Sequence, residues 1–222
     1  MKRLSAMAVA AALLTAVGAQ AEDPVPIDEE PLHKLRFQNG HVRFFDVRLP
    51  SGYRSVVHLH HHDGVFVNIS PSETEAEDWG KAPVRRPGRT PGETYYIGYA
   101  TRPKAHRVSN VGGSVYHVTD TEILRGCGGP AAAPEPGREI AVDNAVVRAT
   151  RLEIAPGDTA VLGGPCGMLV SVGHGLVRLD GPGGPALLTL EPAGFHWRDS
   201  RSPITLTNLG TAPWLGIDIL VK

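Results

Sequence analysis

The sequence has few cysteines, few aromatics and little net charge. Two cysteines in 222 residues cannot build the dense disulfide framework of a small secreted scaffold. Aromatic residues make up 6%, so the core must be mostly aliphatic. The formal net charge is −1, from 22 basic and 23 acidic residues. A nucleic-acid binder needs a basic surface, and none is present. Helix breakers, by contrast, are abundant: 26 glycines and 19 prolines. Helix interiors tolerate neither residue well, which excludes a bundle or coiled coil. Apolar residues reach 41%, enough to bury a core and to exclude disorder throughout. The composition points to a compact, turn-rich, all-β protein.

Residues 1–21 read MKRLSAMAVAAALLTAVGAQA. Lys2 and Arg3 precede a short apolar stretch, and Ala19-Gln20-Ala21 is a small-x-small cleavage site. The apolar run is shorter than the roughly 20 residues a membrane span needs. The expectation is a signal peptide at 1–21, a mature chain starting at Glu22, and a periplasmic or secreted protein. No later run is long enough to span a bilayer, so no membrane span is expected after removal.

The chain carries an internal repeat. Residues 42–58 (VRFFDVRLPSGYRSVVH) lie over 147–163 (VRATRLEIAPGDTAVLG) at a constant offset of 105. Near the end of each half, Ser109-Asn110-Val111-Gly112 matches Thr207-Asn208-Leu209-Gly210 at an offset of 98. The first half therefore holds about seven extra residues, expected in the polar loop 71–93. Its acidic stretch 73–78 reads as a solvated loop, and 181–185 (GPGGP) as a hairpin turn. Residues 127–138 (CGGPAAAPEPGR) read as a linker between units at 31–126 and 139–222. Short alternating runs separated by Gly, Pro and Asp fill both units, as in small barrels or sandwiches. Cys127 and Cys166 form either one disulfide or two thiols, since sequence gives no distance between them.

Eight of the ten histidines lie in the first half: His33, His41, His58, His60, His61, His62, His106 and His117. On a strand, His58, His60 and His62 share one face. Two imidazoles at i and i+2 can share a metal ion, with His106 as the natural third ligand from another strand. The plain alternative is a solvated polar strand end. His33, Tyr95, Tyr96, Tyr99 and His117 could line the mouth of a barrel. The tyrosines read better as strand packing, and His117 as a buried, hydrogen-bonded side chain.

The segment from Gly52 to His60 is G-x5-H-x-H, and His106 to Asn110 is H-x3-N. These resemble the first half of the first cupin motif and the close of the second. With the repeat, the mature chain resembles a bicupin, two double-stranded β-helix (jelly-roll) domains in tandem. The resemblance implies a metal site on His58, His60 and His106. Cupins carry a Glu four or five residues after the second His, where this chain has Gly64 and Val65. Asp63 takes that place after a one-residue deletion, with His62 as the other option. Under the two offsets His58 falls on Gly163, His60 on Pro165 and His106 on Ile204, so the second domain loses all three ligands. The implied cofactor is one divalent transition metal (Fe, Mn, Zn, Ni or Cu), and the implied partners are a small molecule and a second copy of the chain. Two function classes follow: a metal-dependent enzyme of dioxygenase or isomerase type, or a non-catalytic small-molecule or sugar-binding module.

Overall fold

The computed structural model describes residues 23–129, 133, 135–199 and 201–222. The expected signal peptide and part of the expected linker lie outside them. The first unit contains β1 (Val25–Pro26), β2 (His33–Gln38), β3 (Val42–Leu49), β4 (His58–His60), β5 (Asp63–Ser70), β6 (Thr74–Asp78), β7 (Val84–Arg86), β8 (Thr94–Ile97), β9 (Lys104–Asn110) and β10 (Tyr116–Ile123). The second contains β11 (Glu139–Asp143), β12 (Val147–Ile154), β13 (Thr159–Leu162), β14 (Gly167–Ser171), β15 (Gly175–Gly181), β16 (Gly184–Leu190), β17 (Phe195–Arg198), β18 (Ile204–Asn208) and β19 (Trp214–Val221). Among the described residues there is one 3-10 turn, Ile27–Glu29, and no helix able to cross a membrane.

The repeat is visible strand by strand. One sheet of the first unit runs β2-β3-β10-β5-β8, and its counterpart runs β11-β12-β19-β14-β17. The facing sheets run β1-β4-β9-β6-β7 and β13-β18-β15-β16. The same buried side chain ties each unit together. Asn110 Nδ2 donates to the carbonyls of Leu49 and Ser114 at 2.8 and 2.7 Å. Asn208 Nδ2 donates to Ile154 and Ala212 at 2.8 and 2.9 Å. Leu49 to Ile154 spans the offset of 105, and Ser114 to Ala212 that of 98.

Three apolar clusters organise the interior. Phe45, Val47, Leu49 and Phe66 fill the first barrel, and Leu152, Leu162, Leu206 and Trp214 the second. The third cluster lies between the barrels and joins Val42, Phe44, Val65 and Val67 to Val147, Met168, Ile217 and Ile219. Strands β3 and β5 are therefore buried on both faces: Val42, Phe44, Val65 and Val67 pack between the barrels, while Phe45, Val47, Leu49 and Phe66 pack inside the first. Cys127 and Cys166 form a disulfide beside this third cluster, with Cα atoms 6.0 Å apart.

Several expectations change. The acidic stretch is strand β6, not a loop. Thr74 and Ala76 are buried inside the barrel. Glu77 points outward to Arg54 and Arg107 at 2.6 and 2.9 Å. The seven extra residues are not concentrated at 71–93. Ile97 holds the register place of Arg198, and His106 that of Ile204, so three of them fall between β8 and β9. The first unit also recruits residues before 31. Strand β1 pairs in parallel with β4, Val25 opposite His58, and Ile27 is fully buried.

Candidate metal centre

Strand β4 presents His58 and His60 to the barrel interior, one on each side of Leu59. Strand β9 runs antiparallel beside it and sets His106 directly opposite His58. The three rings form a near-equilateral triangle with centroids 4.8, 5.0 and 5.1 Å apart, all edge-on to one another. One ligand atom from each lies within 4.8 Å of the others. His58 is fully buried, and its Nδ1 donates to the Val56 carbonyl at 3.0 Å. That bond leaves the lone pair on Nε2, which is buried and has no partner. Burial, reinforced by His33 alongside, holds the His58 pKa down to about 4. Burial and mutual repulsion hold His60 and His106 well below the ordinary histidine value. The three imidazoles are therefore neutral at pH 7, the state a metal ion requires.

Asp63 does not join them. It begins β5, and its carboxylate accepts from the Tyr96 hydroxyl at 2.7 Å and the Ala100 backbone N–H at 2.8 Å. His62 does not join them either. Strand β4 ends at His60, so the alternation that would have aligned His62 stops there. His62 packs instead against the exposed His61, with tilted rings 4.2 Å apart between centroids.

The carboxylate beside the histidines is Asp120, on β10. It is buried, both oxygens lack hydrogen-bond partners, and Oδ2 lies 3.6 Å from His60 Nδ1. His60, Asp120 and Glu122 also bring one ligand atom each within 4.8 Å. Glu122 is held by Arg43 at 2.6 Å. Burial raises the Asp120 pKa well above the carboxylate range, and Glu122 adds to the rise. Gly64 makes room for this group, since a Cβ there would lie 2.9 Å from Asp120 Oδ1. Asp120 thus stands beside His60, just outside hydrogen-bond distance, where a small shift of the ring would bring it into the place from which carboxylates commonly orient metal-bound histidines. The signal was present in the strand pattern, where Asp120 shares a face with Tyr116 and Val118.

A second missed carboxylate comes from the N-terminal segment, beside His33, which was expected at the mouth of the barrel and does line the cavity. Glu30 is buried and accepts from the Leu32 N–H at 2.7 Å, beside His33 Nδ1 at 2.6 Å. His33 packs on His58, with ring centroids 4.5 Å apart. Tyr99, expected as ordinary packing, stacks on His60 at 4.7 Å. Tyr96 turns outward to Asp63, and burial with that bond raises its pKa to about 12. His117 is buried and bonded to Asp46 at 2.7 Å, as a structural histidine. His41, Cys127 and Cys166 also cluster, but both sulfurs are used in the disulfide.

A cavity of about 130 Å³ opens beside the triangle, lined in part by His33, His60, His106 and Asp120. Among the described residues the second barrel has no such histidine cluster. The register that sets His106 opposite His58 sets Ile204 opposite Leu162, so Leu162, not Gly163, is the counterpart of His58. Trp214 fills the space, its indole N–H donating to Ser171 at 2.9 Å. A Cβ on Gly175 or Gly216 would lie 2.1 or 2.2 Å from that indole.

No protein-family model and no curated protein matches the chain. Solved structures do. The Escherichia coli pirin YhhW in complex with nickel(II) aligns over 86% of this chain and 90% of its own, with TM-score 0.59 and 12% identity. Bacillus subtilis oxalate decarboxylase, with Mn(II) centres, aligns over 89% of this chain and 76% of its own, with TM-score 0.57 and 8% identity. A cupin 2 conserved barrel domain protein from Leptotrichia buccalis aligns over 84% and 86%, with TM-score 0.50 and 10% identity. The likeness is one of fold, and it covers both barrels: the chain has the all-β jelly-roll architecture of the cupins.

Proposed function

We propose that this protein is an exported bicupin that holds one divalent transition-metal ion on His58, His60 and His106. The ion faces a small organic molecule in the first-barrel cavity. The observation that carries this reading is the buried, unpartnered Nε2 of His58, which aims a lone pair into a triangle of neutral imidazoles. A buried nitrogen without a partner is costly, and a metal ion would satisfy it. Imidazoles of this kind suit Fe, Mn, Zn, Ni or Cu. Such an ion supplies Lewis-acid polarisation of a carbonyl, or O2 activation if it is iron.

The chain's own residues do the rest. The Val56 carbonyl fixes the His58 tautomer, and Asp120 steadies His60. Tyr99 and Phe66 cover the His60 ring. Val47, Val108 and Val118 line the cavity with apolar surface. The reaction would be of dioxygenase or isomerase type. The neighbours with Ni(II) and Mn(II) support a metal in this fold. A non-catalytic binding module is the second reading. It is favoured by Asp120, the one carboxylate among the described residues lining the cavity, whose pKa burial pushes well above the carboxylate range, away from that of a ready base.

Metal analysis of untagged protein tests the proposal. Native protein should carry about one metal per chain, and a His58→Ala/His60→Ala variant none. Equal, substoichiometric metal in both would remove the site. Turnover of candidate substrates that EDTA abolishes and added metal restores would decide for the enzyme over the binding module.

A further inference from the structure

The outer end of the cavity carries its own information. Three cationic side chains line it (Arg86, Arg89 and Lys104) against the single acid Asp120. Lys104 is neutralised by Asp78 at 2.6 Å, and Arg89 is paired with Glu93. Arg86 forms no ion pair with an acid among the described residues. It lies on β7 opposite Thr74. Thr74 stands four residues along β6 from Asp78, and Asp78 is opposite His106. Four residues of strand span about 13 Å, so Arg86 and the histidines mark the two ends of the cavity. Between them the walls are apolar: Val47, Phe66, Ala76, Val108 and Val118. Tyr95 and Tyr116 are hydrogen-bonded partners at the Arg86 end, and the Arg89 guanidinium lies 4.4 Å over the Tyr95 ring. Arg86 is exposed while His60 is buried, so the mouth is at the arginine end.

The second barrel is a built-in control. Val177 holds the register place of Thr74, each opposite its unit's shared asparagine. Opposite Val177 stands Leu188, in the place of Arg86. Leu188 packs on the apolar core. The barrel that lacks the histidines therefore also lacks the cation. The two ends were changed together, as expected if they serve one ligand.

We infer that the first barrel binds a small organic carboxylate, its anion against Arg86 at the mouth and its apolar body along the cavity toward His60 and His106. Guanidinium matches a carboxylate in charge and in donor geometry, and an arginine without an acid partner is free to do so. At about 130 Å³ the cavity takes a compact ligand. The inner end of this assignment rests on the proposed metal centre, but the arginine end does not.

The test is calorimetric titration of the full chain with butyrate and benzoate, and with butyramide and benzamide as neutral isosteres. Both EDTA-treated and Zn(II)-loaded protein are used. The acids should bind in both preparations, and the amides about tenfold more weakly or worse. Arg86→Gln should lower acid affinity by about tenfold and leave amide affinity unchanged. Arg178→Gln, exposed on the second barrel, should change neither. Equal binding of acids and amides, no binding of either acid, or an Arg86→Gln variant that binds acids normally would overturn the assignment. So would acid binding confined to Zn(II)-loaded protein, which would assign capture to the metal alone. Failure of the metal centre shows separately, as absence of metal from native protein while EDTA-treated protein still binds the acids.

Discussion

The two barrels place an aspartate at the same point of the same strand and treat it in opposite ways. In the second barrel Asp218 receives a two-pronged guanidinium from Arg198, at 2.9 and 3.0 Å, inside the core. In the first, Ile97 stands where Arg198 would be, and Asp120 has no hydrogen-bonded guanidinium among the described residues, only a histidine at 3.6 Å. Around them the pattern repeats. Leu162 and Ile204 oppose each other where His58 and His106 do, and Trp214 occupies the place of Tyr116. The second barrel shows what this architecture does when it only has to be stable. It pairs its buried charge, fills its lumen and uses aliphatic side chains. Departures from that pattern in the first barrel are costs that folding does not require, and they all face one cavity.

This comparison can be broken or sharpened by exchange. The largest effect should come from His58→Leu/His106→Ile, which writes the second barrel's pair into the first. Metal content should fall from about one per chain to background by elemental analysis. The variant should also melt higher than the EDTA-treated parent, because two buried imidazoles give way to aliphatic contacts. A variant that keeps its metal would break the comparison outright. Next, Arg198→Leu should strand Asp218 and cost about 3–5 kcal/mol in urea unfolding, the usual penalty for removing one partner of a buried pair. The pH dependence should come third. The folded pKa of His58 is about 4, against 6.5 unfolded. The unfolded chain therefore binds the extra proton between those values, and stability falls as the pH drops through them. For EDTA-treated protein the loss attributable to His58 should be about 3 kcal/mol between pH 6.5 and 4, read from denaturant midpoints across that range. The smallest effect should come from Asp120→Asn. It should weaken metal binding by about 10- to 100-fold in competition with a chelator, while thermal stability holds or rises. Unchanged metal affinity would show that Asp120 does not orient His60.

The sequence made some of this legible for local reasons. Asn110 and Asn208 announce themselves because each bonds its own turn, two and four residues away, and a short motif survives as text. His58 and His60 are readable because alternation along one strand puts them on one face. What was hidden depends on pairing between distant segments. Asp120 lies sixty residues from His60, and nothing local says that β10 faces β4. Strands β3 and β5, buried on both sides, lose the alternation that would have told inner from outer faces. The acidic stretch misled because the outward-facing Glu73, Glu75 and Glu77 outnumber the two small residues, Thr74 and Ala76, that fix it as a strand. Glu30 went unread because the first unit was expected to begin beyond it, although His33, its partner, was expected at the mouth of the barrel. The disulfide needed a distance, and only the packed barrels supply one.

The apolar layer between the barrels has a consequence for how the chain comes apart. The sheet of β3, β5 and β10, which faces the sheet carrying His58, is covered on its far face by Met168, Ile217 and Ile219. An excised first barrel would expose Val42, Phe44, Val65 and Val67 as one sticky face. The disulfide closes a separation of 39 residues across that same layer, so a cut in the connection between the barrels would still leave one covalent molecule. The second barrel thus acts as a built-in cover for the first, shielding the apolar face that its own strands leave open.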